Sequence, residues 1–121
     1  MNQNIVVVGS NDANCQRIKD TLRRRFRNAS VHVDASKRGA NDADILVFGT
    51  PIWLGQPSSV AKRALERMDA FLEETDDQGR MVSYGRVAAV AVVGNEDGAH
   101  HVSAELYQAL NDVGFTIPAN A

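Results

Sequence analysis

An α/β fold built on a parallel sheet is predicted by three features of the 121-residue chain. Residues 5–8 (IVVV), 45–48 (ILVF) and 87–93 (VAAVAVV) are unbroken apolar runs rich in valine, the pattern of strands covered on both faces. Helical stripes follow these runs: Cys15, Ile18, Leu22 and Phe26 share one, Val60, Ala64, Met68 and Leu72 a second, and Val102, Leu106, Ala109 and Val113 a third. Because each helix follows a strand, the units read as right-handed β-α-β crossovers.

In chain order, residues 5–8 form strand one, which leads through GSNDANC into a helix. Val31, His32 and Val33 alternate instead of running apolar, which suits an edge strand beside strand one. Residues 35–42 (ASKRGAND) are too short for a full crossover helix and hold one turn at most. Strand three, 45–48, and its helix come next, then residues 73–84 (EETDDQGRMVSY), whose polarity and glycine read as a surface connection. Residues 87–93 look like an interior strand, apolar on both faces. Only FTIPANA follows the last helix and Pro118 cannot donate to a ladder, so three outcomes are open: residues 115–117 form a stub of strand five, another subunit covers the edge, or the chain is a shortened version of a longer protein; a stub together with self-association is expected. An edge left that open invites pairing with a second copy, and a homo-oligomer is expected.

A composition of 44% hydrophobic and 23% charged residues suits one domain over residues 1–121. A net charge of -2 sets up no field that would draw the chain to nucleic acid or to an anionic membrane. The basic stretch 17–27 (RIKDTLRRRFR) lacks interleaved exposed aromatics and reads as a solvated helix face, open to an acidic partner or the phosphates of a nicotinamide cofactor. The single cysteine closes no internal disulfide and no apolar run has membrane-spanning length, so a cytoplasmic setting is expected.

Three segments open with a glycine directly after an apolar run: 9–15 (GSNDANC), 49–59 (GTPIWLGQPSS) and 94–101 (GNEDGAHH). In an open parallel sheet these loops share the carboxyl rim, where ligands bind as strand order reverses. Glycine there admits bound atoms close to main-chain N–H groups, although a glycine also simply ends strands.

The runs ADILVFGTPIWLGQPSSVAKRALER (43–67) and GRVAAVAVVGNEDGAHHVSAELYQALNDVGFTIPANA (85–121) resemble the flavodoxin-like NAD(P)H-dependent FMN reductases. The resemblance implies a doubly wound parallel sheet in the order 2-1-3-4, with strand five short or missing, and FMN at the rim between strands one and three. It implies that Thr50, Pro51, Ile52, Trp53, Leu54 and Gly55 lie against the flavin ring, with Trp53 as a stacking wall, and that Gly94, Asn95, Glu96, Asp97 and Gly98 face its pyrimidine edge. The other reading of Trp53 is a core or surface tryptophan. Glu96 and Asp97 suit an electron-rich flavin poorly, so their carboxylates are expected to turn to solvent or to the following helix. Adjacent His100 and His101 read as solvated residues at a helix start.

The resemblance implies Ser10, Asn11, Asn14 and Cys15 as the phosphate-binding residues, with Asn14 equally readable as a helix N-cap. Asp12 and the thiol of Cys15 make this a weak phosphate loop, since a carboxylate repels phosphate and a thiol donates poorly. No side chain stands out as an acid, base or nucleophile, and no metal site is implied. The implied activity is electron transfer from NAD(P)H through FMN to a small-molecule acceptor such as a quinone or free flavin. A flavodoxin-type one-electron carrier and a flavodoxin-like protein without FMN remain as alternatives.

Overall fold

The computed structural model describes residues 3–9, 13–33 and 43–119. Its elements are β1 (Gln3–Gly9), α1 (Ala13–Arg25), β2 (Ala29–Val33), β3 (Ile45–Trp53), β4 (Gln56–Pro57), α2 (Ser59–Met68), a 3-10 turn (Asp69–Glu73), β5 (Val87–Val93) and α3 (Ala99–Asp112). β1 pairs in parallel with β2 on one side and with β3 on the other, Ile5 lying opposite both Val31 and Ile45. β3 pairs in parallel with β5 from Ile45–Val87 to Pro51–Val93. All four strands therefore point their carboxyl ends the same way, which the crossover helices α1 and α2 require.

One large cluster holds the fold together on the α2 and α3 side of the sheet. Phe48 and Leu46 from β3, Met68 from α2, Phe71 from the 3-10 turn and Val102, Leu106 and Leu110 from α3 are all buried in it. On the other side Ile5 and Val47 meet Ile18 and Leu22 of α1 in a smaller cluster. Ser58 fixes the start of α2, its hydroxyl accepting the Ala61 N–H at 3.1 Å, as an N-cap serine should. Arg23, Arg24 and Arg25 end α1, where cations suit the negative end of the helix dipole.

Several expectations are corrected. Val60 and Leu72 are exposed, and the buried face of α2 is Ala61, Ala64, Leu65 and Met68, an i, i+3, i+4, i+7 stripe one residue round from the expected one. The helix then tightens into the 3-10 turn, whose three-residue period brings Phe71 inward where a continued α-helix would have placed Leu72. Phe26, beyond the last turn of α1, is exposed.

The glycine after residue 48 does not end strand three: β3 runs on to Trp53. Pro51 reads as a breaker, but pairing with β1 stops at Gly49, so on that side its missing N–H removes no ladder bond. β5 is less covered than an interior strand, with only Ala88 fully buried. Among the described residues its outer edge is bridged only where Val87 meets Thr116, with Thr116 N–H donating to Arg86 O at 2.8 Å and Ala88 N–H to Thr116 O at 3.0 Å. Residues 35–42 lie outside the described residues.

Candidate functional site

At the carboxyl end of β3 the chain reverses through Leu54 and Gly55 and returns antiparallel, pairing Ile52 with Pro57 and Trp53 with Gln56. Both turn residues have positive φ, 53° at Leu54 and 76° at Gly55, as the two-residue hairpin turn whose twist matches the strands demands. Gly55 accepts this freely, whereas Leu54 sits in a region that costs a side-chain-bearing residue about 1–2 kcal/mol. The hairpin also presents apolar surface outward: Trp53 is 63% exposed and Leu54 94%. Trp53 is thus no core residue.

Its base is rigid. Thr50 is buried, its hydroxyl donating to Pro51 O at 2.9 Å and accepting the Ser58 N–H at 3.0 Å, with Ser58 Oγ 3.4 Å away. One hydroxyl thereby satisfies both the end of β3 and the cap of α2, groups that would each cost about 1–3 kcal/mol if buried unpaired. Pro51 and Ile52 are buried beside it.

The segment after β5 packs directly on this hairpin. A Cβ built on Gly98, whose φ is 124°, would lie 2.8 Å from Gly55 Cα, and one on Gly94 would lie 3.1 Å from three atoms of Ile52. Backbone therefore meets backbone at Gly98 and Gly55. Glu96 Oε1 accepts the Gly55 N–H at 3.3 Å, and Asp97 Oδ1 accepts the Gly98 N–H at 2.8 Å. Contrary to expectation, the Glu96 carboxylate reaches across to the other segment, because a main-chain donor in a tight turn has no carbonyl partner of its own. Sequence reasoning missed this bond, which spans 41 positions. His100 and His101 are both exposed, and the His101 Nε2 lies 3.4 Å from Gln56 Oε1 of the hairpin and 3.5 Å from Glu105 Oε2.

The structure thus brings residues 50–55 together with residues 94–98. Of the third predicted segment, Ser10, Asn11 and Asp12 lie outside the described residues. Asn14 and Cys15 belong to the first turn of α1, which begins at Ala13, so Asn14 stands inside the helix and not at its cap. Among the described residues no group of three or more His, Cys, Asp or Glu could hold a metal ion, and no helix is long and apolar enough to cross a membrane.

With that geometry in view, the chain can be set beside known proteins. It is 42% identical over 80 residues to the divalent metal cation transporter MntH of Mycobacterium bovis, a match covering 66% of this chain and 12% of that protein. Over a similar length it is 40% identical to the 8-demethyl-8-aminoriboflavin-5'-phosphate synthase of Streptomyces davaonensis, covering 66% of this chain and 31% of the relative. The crystal structure of RosB with bound 8-demethyl-8-formylriboflavin-5'-phosphate superposes with a TM-score of 0.82 at 23% identity, covering all of this chain and 63% of RosB. Solved flavodoxins share the fold over nearly the whole chain, so the architecture is flavodoxin-like. The chain spans less than two thirds of each of these first three proteins. The family model for NADPH-dependent FMN reductases matches residues 5–121, and this chain belongs to that family.

Proposed function

We propose that the chain binds FMN at the carboxyl rim of the sheet and passes electrons from NADH or NADPH to a small acceptor such as a quinone or free flavin. The observation that carries this reading is the hairpin tip, where Trp53 and Leu54 stand exposed on a base fixed by Thr50 and Ser58. An exposed leucine held at positive φ is strain placed where it serves no packing, and an apolar wall for a flat ring gives it a use. Trp53 and Leu54 would cover the ring, the main chain of Gly94, Asn95, Glu96, Asp97 and Gly98 would face its polar edge, and Ser10, Asn11, Asn14 and Cys15 with the α1 N-terminus would hold the phosphate. In this reading the sheet order is the doubly wound 2-1-3-4 of the long strands, with residues 115–117 standing for strand five.

Bound FMN supplies the exchange of electrons with the nicotinamide and the acceptor. The protein's part is to exclude water from one ring face with Trp53 and to set the local charge. Glu96 and Asp97 place negative charge beside the expected polar edge, which opposes electron gain there.

Trp53 is the sole tryptophan, so its fluorescence reports the tip alone. Titration with FMN is expected to quench it by roughly half or more, as close ring contact requires. Binding seen by other means without quenching would remove Trp53 from the site. A second reading, a family member that holds no flavin, is favoured by one observation: the Gly55 and Gly98 N–H groups are already taken by Glu96 and Asp97. A colourless protein on which FMN titration has no effect would support it.

The family setting and the poorly bridged edge of β5 also support self-association. A groove of about 330 Å³ lined by Arg17, Ile18, Thr21, Leu22 and Val93 lies where the end of that strand meets α1. Light scattering is expected to give at least a dimer; a strict monomer at high concentration, with slow amide exchange through residues 87–93, would show that the chain protects this edge unaided.

A further inference from the structure

We propose that the Asp97–Gly98 step is a modification site, where the aspartate closes to a cyclic imide, reopens as isoaspartate and thereby loosens the rim. Of the chain's nine glycines only Gly98 follows an aspartate or asparagine. Glycine matters in that place because the main-chain nitrogen after the aspartate is the nucleophile. A side chain on its residue would crowd the approach to the carboxyl carbon.

The structure adds reach and access to that sequence. The Gly98 N–H donates to Asp97 Oδ1 at 2.8 Å, so its nitrogen lies within about 4 Å of Asp97 Cγ, at most one carbon–oxygen bond further on. No main-chain carbonyl among the described residues holds this nitrogen in a helix or a ladder. Asp112 shows the contrast: the Val113 N–H that follows it is held by Ala109 O at 3.1 Å. Asp97 is also exposed, so water reaches both the carboxyl group and the ring formed from it.

From the protonated carboxyl group, the Gly98 nitrogen attacks Cγ and a nitrogen–carbon bond forms. The nitrogen gives up its proton, the hydroxyl group takes it, and one water leaves. Water then adds back in one of two ways. Cleavage of the new bond restores aspartate, whereas cleavage of the original Asp97 carbonyl–nitrogen bond leaves the chain running through Cβ and Cγ beside a free α-carboxylate. No oxidant or reductant enters. The isoaspartyl chain is longer by one atom in a segment without slack, since a Cβ built on Gly98 would lie 2.8 Å from Gly55 Cα. The added length pushes the two rim segments apart and breaks the 3.3 Å bond from the Gly55 N–H to Glu96. Neither step depends on whether FMN binds.

The test holds the full folded chain at physiological temperature and pH for several weeks and maps it with a protease that cuts before aspartate but not before isoaspartate. Cleavage before Asp97 is expected to fall, with an uncut peptide of unchanged mass in its place, while cleavage before Asp112 stays constant. Asp97→Glu should slow the conversion at least about tenfold, because the longer side chain carries its carboxyl carbon away from the attacking geometry. Asp97→Asn keeps an oxygen for the Gly98 N–H and needs no prior protonation, so it should lose ammonia about tenfold faster than Asp97 isomerises. In the isomerised fraction the Gly55 amide should exchange at least about fivefold faster, as its bond to Glu96 is gone. Unchanged cleavage before Asp97, or an Asp97→Asn variant as durable as the chain's other asparagines, would mean that packing on Gly55 forbids ring closure and would overturn the proposal. Isoaspartate beside an unaltered Gly55 amide would overturn the loosening of the rim.

Discussion

Gly98→Ala is expected to destabilise the protein by roughly 2–5 kcal/mol, the sum of a disfavoured backbone conformation and an overpacked contact. The φ of 124° is strained for any residue with a side chain, and the added methyl would meet Gly55 Cα at 2.8 Å. Backbone cannot swing aside as a flexible side chain can, so one of the two rim segments must shift. The Glu96 to Gly55 bond would be broken in the process. Gly79→Ala supplies the control, because Gly79 also has positive φ, 74°, but nothing lies within 4 Å of a Cβ built there. Its cost should be about 1–2 kcal/mol, the conformational part alone. Denaturant midpoints of the two variants would measure the difference, and FMN titration of Gly98→Ala would show a loss of affinity of at least about tenfold if the rim holds the cofactor. Equal midpoints would mean that the hairpin and the segment after β5 are not in contact in solution.

Phe71→Ala is expected to cost about 3–5 kcal/mol, as for other fully buried aromatic side chains. Phe71 has no exposed surface, while its neighbour Leu72 is 48% exposed. Leu72→Ala should therefore cost less than about 1 kcal/mol. For a domain whose total stability is of order 5–15 kcal/mol, the first variant should melt many degrees lower and the second nearly unchanged. The pair of melting curves checks the rotation that the 3-10 turn imposes. Similar losses in both would return Leu72 to the core and restore the stripe that helical periodicity predicts.

The contrast between those two residues also shows where the sequence could be read and where it could not. Residues 45–48 announce themselves as a strand because a sheet strand packed between layers leaves little room for polar side chains, and 87–93 carry the same apolar signal although only Ala88 of that strand is buried. Val102, Leu106 and Val113 are legible for a similar reason, since α3 keeps one period from Ala99 to Asp112. Leu72 misleads because periodicity assumes that a helix goes on unchanged, and the change to a 3-10 turn after Met68 leaves no mark in hydrophobicity. Gly49 misleads in the opposite way: it reads as the opening of a loop, yet β3 runs on to Trp53, still paired with β5 as far as Pro51 after its pairing with β1 has ended.

The rim divides along the same line. Its residues were legible because they follow apolar runs, and in a parallel sheet the positions after the strands must gather at one end. What those residues do to one another was not. The Glu96 bond to Gly55 and the closure of Gly98 on Gly55 each depend on distances between segments far apart in the chain. Local pattern determined the strands, most of the helical faces and the identity of the rim segments, because burial and periodicity act over a few neighbouring positions. Only the tertiary structure decided which main-chain donors are occupied and which aromatic is buried, because those follow from packing at the scale of a single hydrogen bond or side chain.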